Sequence, residues 1–459
     1  MRIIENLEVK NYRGVKDISF NPNSVNILVG RNNTGKSALL ESIAFILSFS
    51  QKFKDSIGND LLEYITEKYE ESYLVNIEGK TAEIKSKIKN KEYIISIEYY
   101  SDGLPQDKRL NYIIDYFENL INIWYRNYIE KEGKYTKNIS DDVINIFLNE
   151  LKNMNLKLKQ SELKTLKNNI KNRLLRKKFF RTMNRYIESE MQTELDKIKS
   201  QTQKDIYKLP KLVITAYENS QIAGLYILFM ESLNIMEKIE NIRSKEEFTL
   251  FSFALPKYKY FEINEYEIIP FKKDLKDIPL LFDFERVSHE IEDLHDSVVE
   301  TGKIRRAIEL LKERHIIDDI RKTEKGLMVF PKQYDEPLPI SSMGDGFLAL
   351  LKIIFLIAIA ERGVILIEEP EVSLHPGYLN IIAEEIVFNS DRVQFFISTH
   401  NLDLIQAILK KAKKYQKLNE INIIRLHYRE AAKQIYPEVI NGKKAKEEID
   451  EIGTDLRET

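Results

Sequence analysis

The chain has 459 residues, 43% of them hydrophobic, which is enough for two or three structural units with buried cores. Its 70 basic and 72 acidic residues nearly cancel to a net charge of −2, so overall charge indicates no partner and any basic surface must be local. The absence of cysteine excludes disulfides, thiolate zinc sites and thiol redox chemistry.

Secretion and membrane insertion are not expected. The amino terminus, Met1-Arg2-Ile3-Ile4-Glu5-Asn6, has no apolar signal-peptide region. The most apolar run, Phe347 to Ala360, is 14 residues long and contains Lys352, whereas a membrane span needs about 20 residues. We therefore expect a cytoplasmic protein that does not use a membrane, in which this run is a buried helix.

The first motif along the chain fits the phosphate-binding pattern G-x-x-x-x-G-K-[ST] and lies between a β-branched stretch and a helical apolar pattern. Its two glycines let the backbone curl so that N–H groups and the start of the helix point at phosphate oxygens. The lysine is expected to reach the β- and γ-phosphates of ATP, and the serine hydroxyl to bind Mg²⁺. The motif is Gly30-Arg31-Asn32-Asn33-Thr34-Gly35-Lys36-Ser37.

After this motif the sequence pattern changes from strand-like to helical. Up to about residue 105 the sequence predicts a β-rich lobe, with strands over 73–77 and 92–100. From 106 to 205 the hydrophobic residues recur at helical spacing. The segment between Leu151 and Ile187 contains twelve basic residues and one acidic residue. The basic segment 152–185 is read either as a DNA or RNA contact surface or as a solvated helical face, which could instead dock on an acidic protein.

Short strands and helices are predicted over 209–335: a strand at 211–215, a helix near 222–243, strands around 248–270 and a charged helix near 285–322. Within the last of these, His289 and His295 could be drawn as a metal cluster. The two residues are six apart and do not share a helix face, so an exposed acidic helix is favoured.

The carboxy-terminal third contains a short apolar run over 363–367 that ends in two carboxylates. A buried parallel strand delivers acids to its carboxyl edge in this way, although such a pair can also mark a strand end meeting solvent. Beside a phosphate-binding loop, Glu368 is expected to hold Mg²⁺ through water. Glu369 is expected to act as general base toward the attacking water.

Two further features follow the same logic. A second apolar strand, 393–397, ends in Ser398-Thr399-His400, where His400 could sense the γ-phosphate or serve a structural role. Upstream, a turn of small residues precedes the apolar helix and could form another anion cradle at its amino terminus. Its candidate residues are Ser342, Gly344 and Gly346.

Taken together, these motifs resemble the ABC-type ATPase heads of the SMC, RecF and OLD relatives. The motif Glu-Glu-Pro-Glu-x-x-Leu-His-Pro that begins at Glu368 is most similar to the OLD-like and RecF-like AAA ATPases, here a stand-alone form without a TOPRIM domain. Asn11-Tyr12-Arg13 also resembles their amino-terminal strand turn, and Asp455-Leu456-Arg457 resembles how stand-alone members end. The likeness covers about 1–50 and 335–459.

The resemblance implies an α/β fold: a P-loop NTPase with an ABC-type head, made of a mixed sheet and an antiparallel β lobe, interrupted by a mainly helical insertion. The expected domains are 1–105 and 331–459 as the two halves of the head, with 106–330 as the insertion. It also implies a head-to-head homodimer in which Ser342, Gly344 and Gly346 of one subunit complete the ATP site of the other.

Three functions remain open at this stage. The first is an ATP-hydrolysing dimeric switch acting on nucleic acid or on an effector protein encoded nearby, as in prokaryotic antiphage defence. The second is an ATP-binding scaffold with little turnover that assembles an effector nuclease. The third is a RecF-like ATPase of DNA repair.

Overall fold

The fold is described from a computed structural model of the chain. The described residues are 2–51, 53–69, 71–76, 79–99, 212–228, 265–269, 275, 278–284, 291–324, 326–332, 336–360, 362–372, 374–430 and 434–452. Two compact units divide the chain: the first comprises 1–97, 215–223 and 271–459, and the second comprises 98–214 and 224–270. The predicted basic surface at 152–185 and the carboxy-terminal Asp455-Leu456-Arg457 lie outside the described residues.

The strands are β1 (Ile4–Tyr12), β2 (Val15–Phe20), β3 (Val25–Val29), β4 (Thr81–Ile88), β5 (Lys91–Tyr99), β6 (Leu212–Glu218), β7 (Gln221–Leu228), β8 (Glu265–Ile269), β9 (Leu280–Asp283), β10 (Ile317–Thr323), β11 (Gly326–Pro331), β12 (Leu338–Pro339), β13 (Val364–Glu368), β14 (Gln394–Ser398), β15 (Ile421–Arg429) and β16 (Gln434–Asn441). The helices are α1 (Lys36–Ser48), α2 (Leu61–Lys68), α3 (Ile291–Glu300), α4 (Ile304–Glu313), α5 (Asp345–Ile359), α6 (Pro376–Asn389), α7 (Leu402–Lys414) and α8 (Gly442–Glu447).

A six-stranded sheet in the order β16-β15-β3-β14-β13-β9 forms the centre of the first unit. Strands β9, β13, β14, β3 and β15 run parallel to their neighbours, and only β16 is antiparallel. Every residue of β3 and β14 is buried, as expected for strands covered on both faces. Because parallel strands end at the same edge, the residues after β3, β9, β13 and β14 converge there.

Helices cover this sheet. Helix α1 packs against β13, β14 and β9, and α5 packs against α3, α4 and α6. The apolar run Phe347 to Ala360 lies almost entirely in α5, which confirms its prediction as a buried helix. Helix α7 begins at the carboxyl end of β14, where the Asn401 side chain accepts a hydrogen bond from Leu404 N at 3.0 Å.

In a second sheet, the strands β2, β1 and β4 of the first unit are neighbours in that order and pair antiparallel. Strands β1 and β4 alternate buried and more exposed residues, the pattern of a sheet with one covered face. In the second unit, β7 pairs antiparallel with β8. The mixed central sheet and the antiparallel lobe agree with the fold class predicted from the sequence.

Three predicted elements are wrong in part. The described part of the strand predicted over 73–77, residues 73–76, is not a strand, since a 3₁₀ turn covers Glu71–Leu74. The helix predicted near 222–243 is replaced over its first residues by β7, because Asn219 and Ser220 both have positive φ and form a two-residue hairpin turn after β6. The helix predicted over 285–322 divides at Gly302, which has a φ of +71°, into α3 and α4 before β10 begins.

Among the described residues, the helices are all too short or too polar to cross a bilayer. The domain boundaries predicted at 105/106 and 330/331 stay predictions.

Candidate functional site

The loop between β3 and α1 requires glycine at both ends. Gly30 has a φ of +153°, and a Cβ there would lie 2.7 Å from Thr34 Oγ1 and 2.8 Å from the Leu426 carbonyl oxygen. Gly35 has a φ of +82°, and a Cβ there would lie 2.8 Å from Val15 Cγ2. Both positions combine a left-handed backbone with no room for a side chain. The turn therefore directs the amino terminus of α1 at the edge of the sheet.

Lys36 is the cation of this loop. Its Nζ donates hydrogen bonds to the carbonyl oxygens of Gly30, at 3.0 Å, and Arg31, at 3.1 Å. Burial lowers the pKa of Lys36, while Glu369, Glu368 and Glu371 act in the opposite direction, in that order. The ammonium group is thus largely removed from water and lies in the field of three carboxylates, where an anionic ligand would gain most from it.

Ser37 and Glu368 meet at the end of β13. Ser37 Oγ donates a short hydrogen bond to Glu368 Oε1. The other carboxylate oxygen of Glu368 accepts a hydrogen bond from the Tyr64 hydroxyl at 3.5 Å and lies 3.8 Å from Lys68 Nζ. Residues predicted to lie on one metal ion, 331 positions apart in the chain, are therefore in direct contact.

These oxygens suit Mg²⁺. In the described ranges there is no group of three or more His, Cys, Asp or Glu side chains placed to hold a metal. Mg²⁺ is commonly bound by only one or two protein oxygens, with water and substrate phosphates completing its octahedron. A hydroxyl and a carboxylate beside a phosphate-binding loop fit that pattern. His289, half of the alternative metal cluster, lies outside the described residues, and its companion His295 is buried against Phe355.

A second carboxylate lies at the same edge, on the neighbouring strand. Asp283 ends β9, whose residues pair with β13 up to Ile367. It forms an ion pair with Lys352 of α5. Burial raises the pKa of Asp283, Lys352 opposes this effect, and Glu368 adds to it. This pair links the sheet edge to the helix that follows the Ser342–Gly346 turn.

Glu369 and His400 also come together. The backbone of Glu369 has a φ of +46°, unusual for a residue with a side chain, and its N–H donates to the Ser398 carbonyl oxygen at 3.0 Å. His400 Nε2 lies 3.2 Å from Glu369 Oε1. The ends of β13 and β14 thus place the proposed general base and the proposed sensor side by side.

Arg13 closes the site from the antiparallel lobe. It lies in the turn between β1 and β2, and its guanidinium stacks 3.7 Å from the centroid of the Tyr69 ring. Arg13 Nη1 also donates to Glu41 Oε2 at 2.5 Å. Glu41 is fully buried in α1; burial raises its pKa, and Arg13 is the main group acting in the opposite direction.

A cavity of about 660 Å³ lies beside these groups, within the range of roughly 300–1,000 Å³ typical of small-ligand sites. Its walls come from the β1–β2 turn, the phosphate-binding loop, α2, β9, α5 and the turn after β13. The lining residues are Arg13, Gly14, Asn32, Asn33, Thr34, Gly35, Lys36, Ser37, Ala38, Lys68, Tyr69, Asp283, Phe284, Ala349, Lys352, Ile353, Glu368, Glu369, Pro370 and Val372.

The structure does not bring every predicted residue to this cavity. Gly30 and Arg31 shape the loop without lining the cavity, and His400, Ser342, Gly344 and Gly346 are also absent from its walls. Ser342 is exposed, and its hydroxyl donates to the Pro339 carbonyl oxygen at 2.7 Å. The cavity of a single subunit therefore does not contain the three residues that are expected to complete the ATP site of a partner subunit.

Five polar or charged side chains of the cavity were not predicted from the sequence as site residues. Lys352 could have been recognised as the single charge within an apolar helix, since such a charge needs a partner. Asp283 ends an apolar strand, the signal that identified Glu368. Arg13 was noted only as part of a resemblance. Lys68 and Tyr69 carry no signal in the sequence, because only the path of α2 brings them to the site.

Comparison with known proteins identifies the family of the chain. A family model described as AAA ATPase domain matches residues 1–405. The DNA replication and repair protein RecF of Francisella tularensis subsp. novicida is 39% identical over 67 residues, which are 14% of this chain and 19% of that protein. The match therefore spans about a fifth of the length of these curated relatives.

Two solved structures are similar at low sequence identity. An SMC head bound to the C-terminal winged-helix domain of ScpA is 13% identical, with a TM-score of 0.45 and coverage of 97% of this chain and 100% of that one. The SMC head domain from Thermotoga maritima is 8% identical, with a TM-score of 0.39 and coverage of 96% of this chain and 99% of that one.

Proposed function

The chain belongs to the AAA ATPase domain family, and we propose that it binds ATP with Mg²⁺ in the cavity at the sheet edge and hydrolyses it. The observation that carries this proposal is the contact between Ser37 and Glu368, with Glu369 and His400 next to them. Three parallel strands, β3 with the loop that follows it, β13 and β14, deliver these groups to one place, which is the arrangement that phosphoryl transfer to water needs.

Each residue has a role that follows from its position. The N–H groups of the loop and the amino terminus of α1 bind the phosphates, and Lys36 neutralises their charge. Ser37 and Glu368 would hold Mg²⁺, which supplies further stabilisation of the negative charge on the phosphates. Glu369 takes a proton from the attacking water, and His400 fixes the orientation of the Glu369 carboxylate.

A comparison of phosphate release by the wild type and by Glu369→Gln tests hydrolysis. Glutamine has the same shape but cannot accept a proton, so we expect turnover to fall at least about 100-fold while ATP binding is retained. Equal turnover in the two proteins would contradict the role of Glu369. No turnover in either, with ATP still bound, would favour the alternative of an ATP-binding scaffold for an effector nuclease.

We further propose that ATP joins two subunits head to head. The support is that Ser342, Gly344 and Gly346 lie away from the cavity of their own subunit and that Ser342 is exposed. Val372, an apolar residue at the rim of the cavity, exposes 59% of its surface. A second subunit would cover this rim and present its own Ser342 turn to the phosphates.

The conformational change on closure of such a dimer would be transmitted to a nucleic acid or to an effector protein encoded nearby, as in antiphage defence. The basic segment 152–185 supports a nucleic-acid partner through its charge alone. We expect DNA or RNA binding that weakens steeply as salt is raised and that is lost in the variant Arg176→Glu, Lys177→Glu, Lys178→Glu. Binding that is absent or insensitive to salt would contradict this partner.

The RecF match favours one other function, an ATPase of DNA repair. That alternative requires turnover to rise when DNA is added. Adding single-stranded or double-stranded DNA to the phosphate-release assay distinguishes a DNA-repair ATPase from a switch whose turnover responds to a protein effector.

A further inference from the structure

Glu371 lies in the turn after β13, two residues beyond the proposed base, and it holds the loop that carries His400. Its Oε1 accepts a hydrogen bond from Thr399 Oγ1 at 2.6 Å and another from the His400 backbone N–H at 2.8 Å. Thr399 Oγ1 in turn accepts a hydrogen bond from the Asn401 N–H at 2.9 Å. One carboxylate oxygen therefore orders three consecutive residues at the end of β14.

The turn after β13 and the loop after β14 are also joined by a second pair of contacts, which involve Glu369. The Glu369 N–H donates to the Ser398 carbonyl oxygen at 3.0 Å, and His400 Nε2 lies 3.2 Å from Glu369 Oε1. These contacts close a ring between 369–371 and 398–401. Within the ring, the distance between the imidazole and the Glu369 carboxylate is set by where Glu371 holds the His400 backbone.

The other oxygen of Glu371 adds an electrostatic reason for a carboxylate at this position. Glu371 Oε2 is buried and has no hydrogen-bond partner among the described residues. The charge of Glu371 acts on Lys36, whose pKa it helps to raise against the effect of burial. A glutamine would keep an acceptor for Thr399 and His400 but would bury an amide N–H₂ without an acceptor, which is costly.

We propose that Glu371 is a positioning residue for ATP hydrolysis, which keeps His400 against the Glu369 carboxylate by fixing the backbone of the 398–401 loop. The inference rests on the proposed function of Glu369 and His400. Neither Glu371 nor His400 lines the cavity; Glu371 acts through His400 on Glu369, which does. Small displacements of a reacting group are costly, roughly 100-fold in rate for 1 Å.

The first test measures the loop itself and needs no turnover. Hydrogen exchange of the peptide that contains His400 is compared in the wild type, Glu371→Gln and Glu371→Ala. We expect at least about tenfold faster exchange of the His400 amide in Glu371→Ala, because its acceptor is gone, and an intermediate rate in Glu371→Gln. Unchanged exchange in Glu371→Ala would overturn the proposal, whatever the protein does with ATP.

The second test separates positioning from folding and from nucleotide binding. In Glu371→Ala we expect kcat to fall by about 10- to 100-fold, with ATP affinity within about twofold of the wild type and partial recovery of kcat in Glu371→Gln. Glu438→Ala is the matched control, since Glu438 also accepts from a histidine, His427 at 3.0 Å, but at an exposed position on β16 away from the cavity. It should leave kcat and exchange at His400 unchanged.

A double-mutant cycle with His400→Ala identifies the route of the effect. If Glu371 acts through His400, Glu371→Ala should change kcat less than about twofold once His400 has been removed. Independent, multiplicative losses would overturn the proposal. A wild-type protein without turnover would contradict the proposed function instead, and exchange at His400 would still decide the role of Glu371.

Discussion

Gly30 lies where the phosphate-binding loop passes close to the central sheet, and the space for a Cβ atom there is blocked by Thr34 and by the backbone of β15. In Gly30→Ala the loop must shift by several tenths of an ångström and adopt a strained φ, at a cost of roughly 1–3 kcal/mol. We expect weaker ATP binding with little change in the rest of the fold, measured by nucleotide titration and circular dichroism. Gly58→Ala is the control, since Gly58 also has a positive φ but open space around it; similar loss of ATP binding in both would contradict the steric argument.

Arg13 illustrates how one residue can serve both stability and the site. Glu41 is buried without access to water, so Arg13→Ala leaves its charge unpaired, and we expect a loss of about 3–5 kcal/mol in the free energy of unfolding. Urea denaturation measures this change. In a Glu41→Gln background the same Arg13→Ala substitution should cost much less, because no buried charge is left behind. Equal costs in the two backgrounds would show that Arg13 stabilises through packing on Tyr69 instead.

At the scale of elements, the loop between α1 and α2 is tied to the central sheet through one buried carboxyl. Asp55 accepts hydrogen bonds from the Ile57 and Asn59 N–H groups at 3.0 and 2.9 Å, and from Phe282 N of β9 at 3.4 Å. Burial raises the pKa of Asp55 to about 7, more than these hydrogen bonds lower it. In the unfolded chain the group should titrate near its ordinary pKa of about 3.9.

The sign of the resulting pH dependence follows from proton uptake. Between about pH 4 and pH 7 the folded protein holds a proton on Asp55 that the unfolded chain has released, so this contribution to stability is complete at low pH and is lost as pH rises to about 7. From pH 5 to pH 8 the loss should be up to about 3 kcal/mol. Asp55→Asn should remove this part of the pH dependence in urea denaturation; an unchanged profile would contradict it.

Sequence patterns reveal the elements of the site better than the contacts among them. The β-branched run before Gly30 predicted a strand, and the apolar runs before Glu368 and Ser398 each predicted a buried strand with polar residues at its end, because burial on both faces demands continuous apolar sequence. Their common edge then follows from parallel pairing. By contrast, β7 was mistaken for a helix, since a short apolar run has no decisive period. Lys68 could not be found, because its approach to Glu368 depends on the tertiary path of α2.

In the proposed dimer, two subunits are needed to form one complete ATP site. Ser342→Arg puts a large charged side chain on the exposed turn that should face the partner subunit. We expect it to abolish the ATP-dependent dimer and most turnover while a single subunit still binds ATP. Light scattering of Glu369→Gln with and without ATP, alone and combined with Ser342→Arg, measures this. A dimer that survives Ser342→Arg, or full turnover from a monomer, would contradict a shared site.

The most direct test of the central claim is a titration of Mg-ATP into the wild type, Lys36→Met and a control, Lys410→Met, whose lysine is exposed on α7. Hydrogen bonds to a charged group contribute about 1.5–3 kcal/mol, so removal of the Lys36 ammonium should weaken binding by roughly 10- to 150-fold. We expect one ATP per chain in the wild type and in Lys410→Met, and this loss only in Lys36→Met. Equal affinity in all three proteins, or no binding by the wild type, would contradict an ATP site at the edge of the central sheet.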